Sequence, residues 1–118
     1  MSNQLLFVQS HPPHGTIFGQ EGLDAILAGS AFTDAAVLFM GDGLFQLLRD
    51  QHPAALGARD YSVSYQALAD YGVSRVYCPA EDLSVRGLGI EDLIISVTPL
   101  TDDQVRALLH DFDTILDF

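Results

Sequence analysis

The alternation of short apolar runs with segments of helical spacing is the feature that most constrains the fold. The run Leu5-Leu6-Phe7-Val8 is apolar at every position, which is typical of a strand buried on both faces of a sheet. Strands that alternate with helices favour a mostly parallel sheet covered on both faces. The sequence therefore predicts an α/β fold with five strands, at residues 5–8, 35–40, 74–78, 93–97 and 113–118.

The helices are predicted from apolar spacing and from the residues at their ends. Leu23, Ile26 and Leu27 share one face of a helix, and residues 62–71 form another that ends at Gly72. Shorter helical stretches are expected at residues 44–48 and 80–85. Thr101 and Gln104 have the spacing of a capping box, which predicts a final helix with an inward face of Val105, Leu108 and Leu109.

Small and polar residues collect where the predicted strands end. The carboxyl ends of parallel strands lie along one edge of the sheet, and functional groups gather at that edge. We expect this edge to carry residues 10–16, residues 41–43, Cys78 and Thr98.

Chain length and cysteine content indicate the number of domains and the cellular compartment. A length of 118 residues suits one domain, at residues 1–118. The first four residues lack the basic stretch of a signal peptide, and no apolar run approaches the roughly 20 residues that span a bilayer. A lone cysteine cannot form an internal disulfide. We therefore expect a cytoplasmic protein with a reduced thiol and no membrane contact.

The charge and hydropathy balance bears on partners. Sixteen acidic residues face five arginines, without any lysine, for a net charge of −11. Such a chain repels phosphate backbones, so no direct contact with nucleic acid is expected. Its hydrophobic content of 48% is hard to hide in one small core. We expect part of it to lie at contacts with other subunits.

The sequence lacks the residues that common nucleotide-binding and metal-binding sites require. The loop at residues 11–16 carries two prolines where a dinucleotide fold needs its glycines, and a Walker loop needs a lysine. His11 and His14 have no nearby cysteine or acidic residue to complete a metal site, so neither a metal nor a cofactor is expected. Ser10, Gly15 and Thr16 leave a small flavin- or anion-binding module as an alternative.

Cys78 is the candidate catalytic residue. It ends a predicted strand and precedes a helix start, and a helix N-terminus lowers the pKa of a thiol. A thiolate at this position can accept a sulfane sulfur as a persulfide. Glu81 and Asp82 act in the opposite direction by raising that pKa, and free cysteines are commonly buried as small apolar residues. A sulfur carrier and a buried core thiol both remain open.

Ordered segments along nearly the whole chain resemble one family, the TusC/DsrF proteins of the DsrE-like superfamily of sulfur-relay subunits. No single segment is decisive, but their order is specific. The matching segments are Pro13-His14-Gly15-Thr16, Glu21-Gly22-Leu23-Asp24-Ala25 continuing to Thr33-Asp34, Asp42-Gly43-Leu44-Phe45-Gln46-Leu47-Leu48, Ala58-Arg59-Asp60-Tyr61, and Cys78 through Arg86-Gly87-Leu88.

The resemblance implies a three-layer α/β/α sandwich within a larger complex. That complex pairs the chain with TusB-like and TusD-like sister subunits as a dimer of heterotrimers. It receives persulfide sulfur from a TusA-like donor and passes it through a TusE-like acceptor toward 2-thiouridine at the tRNA wobble position. The related DsrEFH complexes serve dissimilatory sulfur oxidation instead, and this alternative stays open.

The resemblance also bears on the role of Cys78. In the family the principal sulfur-carrying cysteine is attributed to the TusD/DsrE-like subunit. The present chain is therefore expected to be a non-catalytic structural subunit, with Cys78 as an accessory persulfide site at most.

Overall fold

A parallel sheet forms the centre of the protein. The structure, a computed structural model, describes residues 4–10, 25–26, 28, 34–47, 73, 75–112 and 114–118. Within these ranges, five strands pair in the order β4-β3-β2-β1-β5, and every neighbouring pair is parallel. The predicted α/β fold is confirmed. The strands are β1 Gln4–Gln9, β2 Asp34–Phe39, β3 Arg75–Pro79, β4 Thr98–Leu100 and β5 Thr114–Asp117.

Helical segments follow the strands and contribute apolar side chains to the core. Those with described bounds are a 3₁₀ helix at Gly41–Leu47, α1 at Ala80–Val85, a 3₁₀ turn at Ile90–Asp92, and α2 at Asp102–Asp111. Ala25, Ile26 and Ala28 are also helical. The helix predicted at residues 62–71 lies outside the described residues. No helix in the described part of the chain is long and apolar enough to cross a membrane.

The two faces of the sheet carry separate apolar cores, because alternate residues of a strand point to opposite faces. On one face, Phe7, Val37 and Cys78 pack in a cluster that also contains leucines of the 3₁₀ helix and α1. On the other, Leu6 and Leu38 pack with Val105 of α2. Helical segments therefore cover both faces, which gives the three layers that the resemblance implied.

The capping box at the start of α2 is confirmed. The Gln104 amide N–H donates to Thr101 Oγ1 at 3.3 Å, and the Thr101 amide N–H donates to Gln104 Oε1 at 2.9 Å. These two bonds satisfy backbone donors that the first turn of a helix leaves without partners. Val105 is buried as predicted, and Leu108 and Leu109 pack beside it.

The strand predicted at residues 93–97 is wrong. The fourth strand is Thr98–Leu100, so it begins at the residue that was expected to end it. Leu93 and Val97 are buried, and the Ile94 amide donates to the Leu47 carbonyl at 2.8 Å instead of to a neighbouring strand. The run is apolar because it fills the core as irregular chain. Pro99 is tolerated in β4 because this strand lies at one end of the described sheet.

Candidate functional site

The segments that follow β1, β2 and β3 meet at the carboxyl edge of the sheet. The Met40 amide N–H donates to the Gln9 carbonyl at 2.9 Å, and the Gly43 amide N–H donates to the Met40 carbonyl at 2.9 Å. The 3₁₀ helix therefore starts directly against the end of β1. A Cβ atom on Gly43 would collide with the Gln9 carbonyl oxygen, so this close approach requires glycine.

Of the other residues predicted for this edge, Ser10 lies at the edge and Thr98 does not. Ser10 lies there as expected, and its hydroxyl donates to the Phe118 carbonyl at 3.2 Å and to Asp117 Oδ1 at 3.3 Å. Thr98 does not follow a strand end, because it opens β4 beside Tyr77. The rest of the loop at residues 10–16, including His11 and His14, lies outside the described residues.

Cys78 is completely buried. Its exposed fraction is 0%, and it belongs to the same apolar cluster as Leu44, Leu47 and Leu83. Burial, and secondly the negative charge of Asp82, raises the pKa of the Cys78 thiol from 9.0 to about 11. Burial, together with the predicted opposing effect of Asp82, therefore raises the thiol pKa rather than lowering it as a helix N-terminus would. At neutral pH the side chain is a neutral thiol inside the core.

Four residues form a polar network beside Cys78, which we call the strand-end network: Gly41, Asp42, Asp82 and Arg86. The Gly41 amide donates to Asp82 Oδ2 at 2.7 Å. Arg86 donates from Nε and Nη2 to Asp42 Oδ1, at 3.2 and 3.1 Å, and from Nη1 to the Asp82 carbonyl at 3.1 Å. Gly41 has a φ of +52°, a backbone conformation that favours glycine. The network ties the segment after β2 to the segment after β3.

Sequence reasoning missed this network. Asp42 and Arg86 are 44 positions apart, so neither helical nor strand periodicity relates them. The only available signal was that both residues fall in segments that resemble the TusC/DsrF family.

A cavity of about 240 Å³ lies on the other side of this edge, between α1 and α2. It is lined by Met40, Pro79, Asp82, Asp102, Val105 and Arg106. Cys78 is not among the lining residues, so the thiol does not open into it. The described residues bring together no group of three or more histidine, cysteine or acidic side chains that would hold a metal ion.

The chain is similar to a known protein family, to curated proteins and to a solved structure. The model of the DsrE/DsrF-like family matches residues 3–118. The proteins named Protein TusC from Klebsiella pneumoniae (strain 342) and from Escherichia coli O9:H4 (strain HS) are each 44% identical over 117 residues, covering 98% of this chain and 98% of their own. The crystal structure of ychN protein from E. coli superposes with a TM-score of 0.77 over 98% of this chain and 99% of that one, at 20% identity. At that identity the likeness shows the fold alone.

Proposed function

The chain belongs to the DsrE/DsrF-like family as a TusC-type sulfur-relay subunit, and from this membership we propose that it is a non-catalytic structural subunit of a TusBCD-type sulfurtransferase complex. It assembles with TusB-like and TusD-like sister subunits as a dimer of heterotrimers in the cytoplasm. The complex takes persulfide sulfur from a TusA-like donor and delivers it to a TusE-like acceptor, toward 2-thiouridine at the tRNA wobble position. The 44% identity to proteins named Protein TusC supports the TusBCD-type assignment, and dissimilatory sulfur oxidation is the alternative pathway.

The burial of Cys78 is the observation that carries the non-catalytic role. In a persulfide transfer, the acceptor thiolate attacks the terminal sulfur of the donor persulfide. A new S–S bond forms, the donor S–S bond breaks, and the donor leaves as a thiolate. The acceptor must therefore be both accessible and ionised. Cys78 has neither property in the folded chain, which supports a route for the sulfur through a sister subunit.

Exposed apolar side chains support the assembly. Val85 is 72% exposed and Ile90 is 51% exposed, and Ile115 and Leu116 on β5 are more than one-third exposed. Each of these side chains would gain free energy by leaving water at a subunit contact, at about 25 cal/mol per Å² of apolar area. The net charge of −11 makes an oppositely charged sister surface a better partner than a second copy of this chain, so the exposed apolar side chains drive self-association only when no sister is present.

The assembly is tested by coexpression with the two sister chains and native mass spectrometry. We expect a complex that holds two copies of each chain, because the exposed apolar side chains are then covered. Expression of this chain alone is the matched control, and self-association or poor solubility is expected there. A fully soluble monomer that binds neither sister chain would contradict the proposal.

A further inference from the structure

The strand-end network joins two segments whose leucines share the apolar cluster of Cys78. The 3₁₀ helix after β2 supplies Leu44 and Leu47 to the cluster around the thiol, and α1 with its following turn supplies Leu83 and Leu88. On the outside of these leucines, Asp42 and Arg86 bridge the two segments at 3.1 Å. The polar bridge and the apolar cover thus hold the same pair of segments together.

The covering segment α1 has little stability of its own. It has six residues, its N-cap residue Pro79 makes no side-chain capping bond, and it ends near Gly87 at a φ of +67°. Isolated helices of this length do not persist in water, so α1 depends on its contacts with the rest of the molecule. By contrast, β3 is paired on both sides, with β2 and with β4. Opening of α1 can therefore occur while the sheet and the 3₁₀ helix stay folded.

The ion pair between Asp42 and Arg86 is partly exposed to solvent. The Asp42 side chain is 56% exposed and the Arg86 side chain is 21% exposed. Arg86 makes two charge-assisted bonds to one carboxylate oxygen and a third to the Asp82 carbonyl. Such bonds are stronger than those between neutral groups.

We propose that the strand-end network is a latch that holds α1 against the 3₁₀ helix and over Cys78, so that breaking the Arg86–Asp42 bridge lets α1 open and exposes the thiol without unfolding the sheet. This inference concerns the chain itself and does not rest on the proposed function.

The test is the rate at which iodoacetamide labels Cys78 in the full-length folded chain, followed by intact mass. The thiolate attacks the CH₂ carbon, the C–S bond forms as iodide leaves, and the thiol proton goes to solvent. Arg86→Gln and Asp42→Asn are each expected to raise the labelling rate about tenfold, because each removes one charge of the bridge and so weakens bonds that form in the closed state only. The matched control is Arg106→Gln, which removes an exposed ion pair with Asp103 at 3.9 Å and is expected to leave the rate unchanged.

The two latch variants separate the latch from a simple charge effect. Loss of the Arg86 charge would slow labelling through the thiol pKa, and loss of the Asp42 charge would speed it, whereas the latch requires both variants to speed it. The double variant is expected to match the faster single variant, because both changes break one contact. Urea unfolding of the same variants measures global stability.

Three outcomes overturn the proposal. They are unchanged rates, rates that move in opposite directions, and rates that rise only as far as the loss of global stability requires. If Arg86→Gln does not fold, Asp42→Asn changes a mostly exposed side chain and carries the same test.

Discussion

Replacement of Gly43 by alanine is expected to lower the free energy of unfolding by about 3 kcal/mol, at the upper end of the cost of inserting atoms into a packed site. The new Cβ would overlap the Gln9 carbonyl oxygen and approach the Gln9 carbonyl carbon to 2.7 Å. These are backbone atoms at the end of β1, a strand paired on both sides, so they cannot swing away as a side chain can. The Gln9 carbonyl also accepts the Met40 amide, and any shift weakens that bond.

Gly87→Ala is the matched control for this substitution. Gly87 has a φ of +67°, but a Cβ there would meet no atom within 4 Å. Its cost is therefore the left-handed backbone conformation alone, about 1–2 kcal/mol. Urea unfolding of both variants gives the comparison. Equal losses in the two variants would show that the strand-end edge is not packed against Gly43 as described.

The second large effect concerns the ionisation of Cys78. With its pKa raised from 9.0 to about 11, the thiolate fraction near neutral pH should be about 100-fold smaller than that of an ordinary cysteine. Alkylation of the folded chain should therefore reach half of its limiting rate near pH 11, whereas an ordinary thiol reaches half of its limiting rate near pH 9. The chain unfolded in urea is the internal reference, and its midpoint should lie near pH 9. A folded-state midpoint near pH 9 would contradict the burial of Cys78.

The same pKa change makes stability depend on pH. Between pH 9 and pH 11 the unfolded chain loses the Cys78 proton while the folded chain keeps it, so the free energy of unfolding falls as pH rises. The total loss from this group is about 2.7 kcal/mol, complete above the folded-state pKa and absent below pH 9. Tyrosines titrate in the same range. The difference between the native chain and Cys78→Ala isolates the cysteine contribution, and parallel pH curves would rule it out.

Local sequence patterns were sufficient where one segment determines its own structure. The continuous apolar runs predicted β1 and β2, and Thr101 with Gln104 predicted the start of α2. They failed at residues 93–97, where an apolar run reflects burial in irregular chain and the bond from Ile94 to Leu47 takes the place of strand pairing. Apolar character reports burial, and only pairing makes a strand.

The candidate site was predictable in position but not in chemistry. The order of strands and helices was enough to put Cys78 at the carboxyl edge of the sheet. Its burial depends on leucines of the 3₁₀ helix and of α1, which approach each other only in the folded chain. The same holds for the bridge between Asp42 and Arg86. Such contacts between distant segments have no signature in local spacing, so the alternatives for Cys78 could not be separated from sequence.

Persulfide loading of the coexpressed complex, followed by the intact mass of each subunit, distinguishes a structural subunit from a sulfur carrier. We expect the TusD-like sister to gain the mass of sulfur, while this chain keeps its unmodified mass because Cys78 is buried and protonated. Cys78→Ser in the same complex is the matched control and should give the same masses on the sister. Added sulfur on this chain that disappears in Cys78→Ser would contradict the structural-subunit role and identify Cys78 as a carrier.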